Sequence, residues 1–184
     1  MSIRFPQISP QILKIHGRAP FCQIAALQFL LNTTTLSREM SAKERLANTT
    51  YDSLDAMMQA YAAEAVRIAG AEHRVKLDYS PASMDALENI LSTLTPPQTD
   101  DLEWLTKLWG SYFGEVFRRR YSSTWTMSEY PGGQLSIPTV EIGGSRIYPL
   151  LKIHRRLTLG ETENLVTFTQ MARKRLDGLH PLPN

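Results

Sequence analysis

The stretch Trp104–Tyr121, WLTKLWGSYFGEVFRRRY, restricts the possible folds of this chain more than any other. Leu102, Leu105, Trp109, Tyr112 and Val116 recur at spacings of three and four, which predicts an amphipathic helix. Leu108, Phe113 and Phe117 widen its apolar stripe beyond a coiled-coil seam, so the helix is expected to be central and covered on more than one side. Gly110 and Gly114 fall one turn apart on one face. A glycine inside a helix costs about 1 kcal/mol relative to alanine, and a close crossing by another element is the expected compensation. The competing reading is that the glycines open room for a ligand beside Glu115. That residue points about 100° away from Gly114 and can reach Arg118 or Arg119 one turn on. If it is enclosed, its charge has to be paired or its pKa rises.

The remaining pattern predicts an α+β fold: a small, mostly antiparallel sheet packed against several helices, with an N-terminal helical layer. A helix is expected from Ser53 to Ala69, with Asp52 as N-cap and Gly70 as the stop. His73–Asp78 alternates polar and apolar residues and predicts a strand. Ser80-Pro81 reads as the start of a helix carrying Met84, Leu87, Leu91 and Leu94, ended by Thr95-Pro96-Pro97. Short strands are expected at Ser123–Met127, Leu135–Ile137, Thr139–Ile142 and Arg146–Tyr148, the last two joined through Gly143-Gly144, where paired glycines tolerate a tight turn. Helices at Pro149–Leu157 and Glu163–Arg175 close the chain. The division is into residues 1–70, an N-terminal helical extension packed on the main domain, and residues 71–184, the α+β domain. Within the former, residues 1–39 read as an accessory segment.

At 184 residues the chain is long enough for one domain with a substantial core. The single cysteine, Cys22, excludes an internal disulfide and reads as a small buried hydrophobe beside Phe21 and Ile24. The apolar run Ala19–Leu31 is interrupted by Gln23 and Gln28 and is too short to span a bilayer. No membrane association is expected, and the cytoplasm is the expected compartment. The four histidines, His16, His73, His154 and His180, stand in different elements without metal-ligand spacing, and the phosphate-loop, dinucleotide-loop and nucleophile-elbow motifs are absent. Neither metal nor cofactor is expected.

Residues 1–100 hold 9 Lys/Arg against 10 Asp/Glu, and residues 101–184 hold 11 against 8, so the halves carry −1 and +3. That asymmetry is too mild for a nucleic-acid domain. The basic residues nevertheless cluster, at Arg118–Arg120, at Lys152 with His154, Arg155 and Arg156, and at Arg173–Arg175. Each cluster sits near a helix end, where cations complement the dipole. If they converge, they form an anion-seeking face for which an acidic protein is the expected partner. The candidate binding residues are Tyr112, Arg118, Arg119, Lys152, Arg155 and Arg156; the candidate catalytic residues are Asp78 and Glu115.

Four motifs add a resemblance. Leu77-Asp-Tyr-Ser-Pro81, Gly110-Ser-Tyr-Phe-Gly-Glu-Val116, Trp125, and Tyr148-Pro-Leu-Leu-Lys-Ile-His-Arg-Arg-Leu157 followed by Gly160 resemble an uncharacterised bacterial domain family over about residues 75–176. The resemblance implies a small bacterial α+β domain and transfers no catalytic residue. Two functions are therefore expected, in order: a non-catalytic protein-binding module of immunity or inhibitor type, or a hydrolase or transferase with an unusual site around Asp78, Glu115 and nearby arginines.

Overall fold

A computed structural model describes residues 40–179 of the chain. They belong to a compact unit that begins at Met40 and takes in the helix that sequence assigned to an N-terminal extension. The apolar run Ala19–Leu31, Cys22, His16 and His180 lie outside the described residues.

The fold is α+β. Six helices occur among the described residues: α1 (Ala42–Asn48), α2 (Leu54–Glu72), α3 (Ser83–Thr93), α4 (Leu102–Arg120), α5 (Pro149–Leu159) and α6 (Leu165–Leu179). The three strands, β1 (Thr124–Glu129), β2 (Ser136–Ile142) and β3 (Ser145–Ile147), form one antiparallel sheet in that order. The long helix read from Trp104–Tyr121 is α4, and a single 3-10 turn at Thr99–Asp101 leads into it. It is the central element: α2 and α5 make the most extensive helix contacts in the unit, both with α4. Leu108, Trp109, Tyr112, Phe113, Val116 and Phe117 are all buried, as the wide stripe predicted.

Several local expectations are corrected. Ser53, not Asp52, caps α2: its hydroxyl accepts from the Ala56 N–H at 3.1 Å. The helix passes through Gly70 and ends at Glu72, and the left-handed residue after it is Arg74, at φ 57°. Residues 73–78 are not a strand. Their alternation is real, since Leu77 is buried and Val75 half-buried while Lys76 and Asp78 are exposed, but no described strand lies alongside to form a ladder. Helix α3 begins at Ser83, after a turn in which the Ser83 N–H donates to the Ser80 carbonyl at 3.1 Å.

The two strands read around Pro138 are one continuous strand, β2. Side-chain and hydrogen-bonding directions alternate along it, and β3 pairs only as far as Val140. The missing N–H of Pro138 therefore faces the side beyond the end of β3, where no ladder bond is lost. The Gly143-Gly144 turn is as expected, with both residues at positive φ (51° and 81°), the requirement of a two-residue hairpin of type I′.

Candidate functional site

The glycine pair of α4 is a crossing point. A Cβ on Gly110 would lie 2.9 Å from the Cα of Leu150, and one on Gly114 would lie 2.1 Å from Cη2 of Trp125 and 3.0 Å from Cγ of Pro149. Helix α5 thus passes over the first glycine, and the indole of β1 lies against the second. The space under Gly114 is filled by protein.

Glu115, one residue on, is fully buried at 0 % exposure. Its Oε1 accepts from Nε1 of Trp125 at 3.0 Å and from Nε of Arg118 at 2.6 Å. Its Oε2 accepts from Nη2 of Arg118 at 3.0 Å and from Nε of Arg119 at 3.1 Å. Four N–H donors on two oxygens, two of them in a bidentate guanidinium fork, hold the anion tightly. Burial pushes this carboxyl up, but the bonds from Arg118, Trp125 and Arg119 outweigh it and leave the pKa below its ordinary value. A carboxylate held ionised and enclosed is poorly suited to taking a proton from a substrate.

The lattice continues through Arg119, whose guanidinium carbon lies 3.5 Å from the ring centroid of Tyr79. Tyr79 stacks on Tyr112 at 4.9 Å. The Tyr112 hydroxyl accepts from the Tyr79 N–H at 3.0 Å and shares a 2.7 Å hydrogen bond with the hydroxyl of Ser83. These bonds and contacts hold Tyr79 at φ 63°, a conformation a tyrosine does not adopt without such support. Tyr79, Tyr112 with Glu115, Trp125, and Pro149 with Leu150 come one from each of the four sequence motifs. All four motifs therefore meet on α4, and their contacts are those of a framework.

Asp78 stands apart. It is exposed, its Oδ1 accepts from the Ser80 N–H at 2.9 Å, and the bonds from Ser80 hold its carboxyl below its usual range. No hydrogen bond or ion pair joins it to Glu115. The other basic candidates divide between framework and surface. Arg156 is 1 % exposed and donates to Glu88 (2.7 Å), Ser92 (2.7 Å) and Thr95 (3.2 Å), so it offers a partner almost no surface. Lys152 and Arg155 share the carboxylate of Glu163, and hydrogen bonds from Lys152 first, then Arg155, hold that carboxyl below its ordinary value despite burial. Arg120 pairs with Asp177 at 3.2 Å. Arg173 of the last cluster also acts on Asp177 and helps hold its carboxyl below the usual range.

The open volume lies elsewhere. A groove of about 600 Å³ is lined by Pro131, the β2–β3 turn, β3 and Tyr148, and by Phe168, Met171, Ala172, Arg175 and Leu176 of α6. A second cavity of about 270 Å³ shares Arg146, Ile147, Tyr148 and Phe168 with it and extends to Lys152, Arg155 and Glu163. None of Asp78, Tyr112, Glu115, Arg118 or Arg119 lines either. The larger groove contains no carboxylate, and neither of its arginines, Arg146 and Arg175, has an ion-pair partner among the described residues. Sequence reasoning missed Arg146, Phe168 and Arg175 as a group. Phe168 and Arg175 share α6 with spacing that reads as an apolar edge and a helix end, and nothing in the order of residues places β3 opposite them.

No family model, curated protein or solved structure matches the chain. Among the described residues, no group of histidine, cysteine and carboxylate side chains could hold a metal, and no helix is long and apolar enough to cross a membrane.

The Glu115 lattice has a measurable signature. Glu115→Gln is expected to cost about 1.5–3 kcal/mol at pH 7, the worth of hydrogen bonds to a charged group. With the native pKa lowered, the unfolded chain binds more protons than the folded one in the intervening pH range. The contribution is thus complete above the unfolded value and lost as pH falls through the native one. The gap between wild type and variant should therefore narrow below about pH 4. Asp177 and Glu163, also lowered, fade in both proteins alike. Urea unfolding at pH 7, 5 and 3.5 reads the difference, and a gap constant over that range would contradict the assignment.

Proposed function

We propose that this chain is a non-catalytic protein-binding module, of immunity or inhibitor type, whose partner presents an acidic, partly apolar segment to the groove between β3 and α6. The observation that carries this reading is the composition of that groove. Its α6 wall is apolar along Phe168, Met171, Ala172 and Leu176, with Met171 69 % exposed, and its charged residues are Arg146 and Arg175, neither of them in an ion pair among the described residues. An open apolar surface rimmed by unpaired cations favours a ligand that brings both hydrocarbon and carboxylates. The alternative, a hydrolase or transferase built on Asp78 and Glu115, gains no support from their geometry, because Glu115 is enclosed by its own donors and Asp78 is turned to solvent.

The test is direct. A fluorescein-labelled, capped peptide of three glutamate–valine pairs should raise its anisotropy on titration with the full chain, and binding should weaken from about 0.05 to about 0.5 M salt as the screening length shortens. Arg175→Glu should weaken it about tenfold or more, since a like charge then replaces an attractive one. Equal binding of a lysine–valine counterpart, or no binding of the glutamate peptide, would defeat the proposal.

A further inference from the structure

Resting on that reading of the groove, we infer that its ligand binds by strand addition: about four residues of extended acidic chain pair with the free edge of β3, centred on the backbone of Arg146. The argument starts from the hairpin. Ile142 and Ser145 flank a two-residue turn and so form a closely bonded antiparallel pair; hydrogen-bonded and non-bonded pairs then alternate. The next pair, Glu141 with Arg146, is a non-bonded one, and the following pair, Val140 with Ile147, is bonded again. Both the N–H and the C=O of Arg146 consequently point away from β2. The N–H of Tyr148, two residues on, points the same way.

Strand β3 ends the sheet. Among the described residues no other backbone group bonds to Arg146 or to the Tyr148 N–H, while the Tyr148 carbonyl is already taken by the Lys152 N–H. Three backbone groups are thus left for an incoming chain, two donors and one acceptor. Arg146 and Tyr148 both line the groove, and α6, which also lines it, supplies their free groups no backbone partner. Exposed strand edges are ordinarily blunted against pairing. Here the edge is short and carries a charge, and both features disfavour indiscriminate sheet growth.

The opposite wall sets the length and the side-chain code. From Phe168 to Leu176 the helix covers about 12 Å, the reach of about four extended residues. Side chains of an added strand alternate in direction. Those facing inward meet Phe168, Ala172 and Leu176, and those facing outward meet the guanidinium groups of Arg146 and Arg175. Apolar and acidic residues in alternation satisfy both. This division of labour, with main-chain bonds for affinity and alternate side chains for choice, is that of peptide recognition by strand addition.

The experiment uses the full chain and the glutamate–valine peptide, with single backbone N-methyl groups placed at each position in turn. Strand addition predicts one sensitive position: methylation of the residue whose N–H bonds to the Arg146 carbonyl weakens binding about tenfold, from a lost main-chain bond and the clash of the methyl with the edge, and its neighbours are unaffected. Arg146→Pro, compared with Arg146→Ala, supplies the reciprocal test, because both lose the charge and only proline loses the outward N–H. Uniform tolerance of N-methylation, with binding intact, would overturn strand addition and leave the groove as a side-chain site. Absence of peptide binding would overturn the proposed function itself. A stable dimer of the chain that keeps the edge closed to the peptide would assign the edge to a second copy and overturn the inference.

Discussion

Glu88→Ala is expected to lower the stability of the unit by about 3–5 kcal/mol, the cost of leaving a buried charge without its partner. Glu88 ties three helices together. Its Oε1 receives Nε of Arg156 from α5 at 2.7 Å, and its Oε2 receives the Leu165 N–H at the start of α6 at 2.9 Å. The second bond satisfies one of the four N–H groups that a helix start leaves open, at its positive end. Removing the carboxylate strands the Arg156 guanidinium, which has only the hydroxyls of Ser92 and Thr95 left to it. Urea unfolding should show the midpoint falling at nearly constant m, since the loss is of stability and not of exposed area. The double variant Glu88→Leu with Arg156→Met should be far less damaged than Glu88→Ala, because neither charge then remains to be desolvated. A cost for Glu88→Ala below about 1 kcal/mol would mean that water reaches Arg156 and that the pair is effectively a surface one.

Gly114→Ala should cost about 3 kcal/mol or more, against the usual benefit of alanine in a helix. The added methyl falls on the benzo edge of Trp125, a rigid ring that cannot bend out of the way as the tip of a flexible side chain would. The indole has to shift, and that movement also breaks its Nε1 bond to Glu115, adding the penalty of a buried donor left unpaired. Gly70→Ala is the control: it lies inside α2 with nothing within 4 Å of where the new methyl would sit, so it should stabilise by up to about 1 kcal/mol. Thermal unfolding followed by tryptophan emission separates the two, since only the former should also alter the native spectrum. Equal, mildly stabilising behaviour at both glycines would refute the close packing of Trp125 on α4.

The contrast between these glycines shows how far sequence reasoning reaches. Both occupy helix interiors, and both look alike as residues. For the Gly110–Gly114 pair, spacing on one face indicated a crossing, and the crossing is there; which elements supply it was not legible, because Leu150 and Trp125 belong to other elements further along the chain. Glu115 marks the same boundary. Its possible partners at i+3 and i+4 follow from helical geometry, and both are used. The fourth donor, the Trp125 indole, and the complete burial come from β1 folding back over the helix. The segment 73–78 shows the reverse: its alternation correctly orients Leu77 inward, yet a strand needs a neighbour to bond with, and no described strand is beside it.

By itself the sequence determined the α+β class, the central helix with its wide apolar face, the glycine turn of the hairpin, and the short-range pairing of Glu115. These depend on periodicity, backbone freedom and contacts within one helical turn, all of which are encoded locally. The tertiary structure alone decided which charges are used up and which remain available. Arg156 and Arg175 read alike as basic residues near helix ends, but one is enclosed against Glu88 and the other rims an open groove. Ion pairing, burial and the exposure of a strand edge depend on what long-range packing brings within a few ångströms, and residue order does not specify that directly.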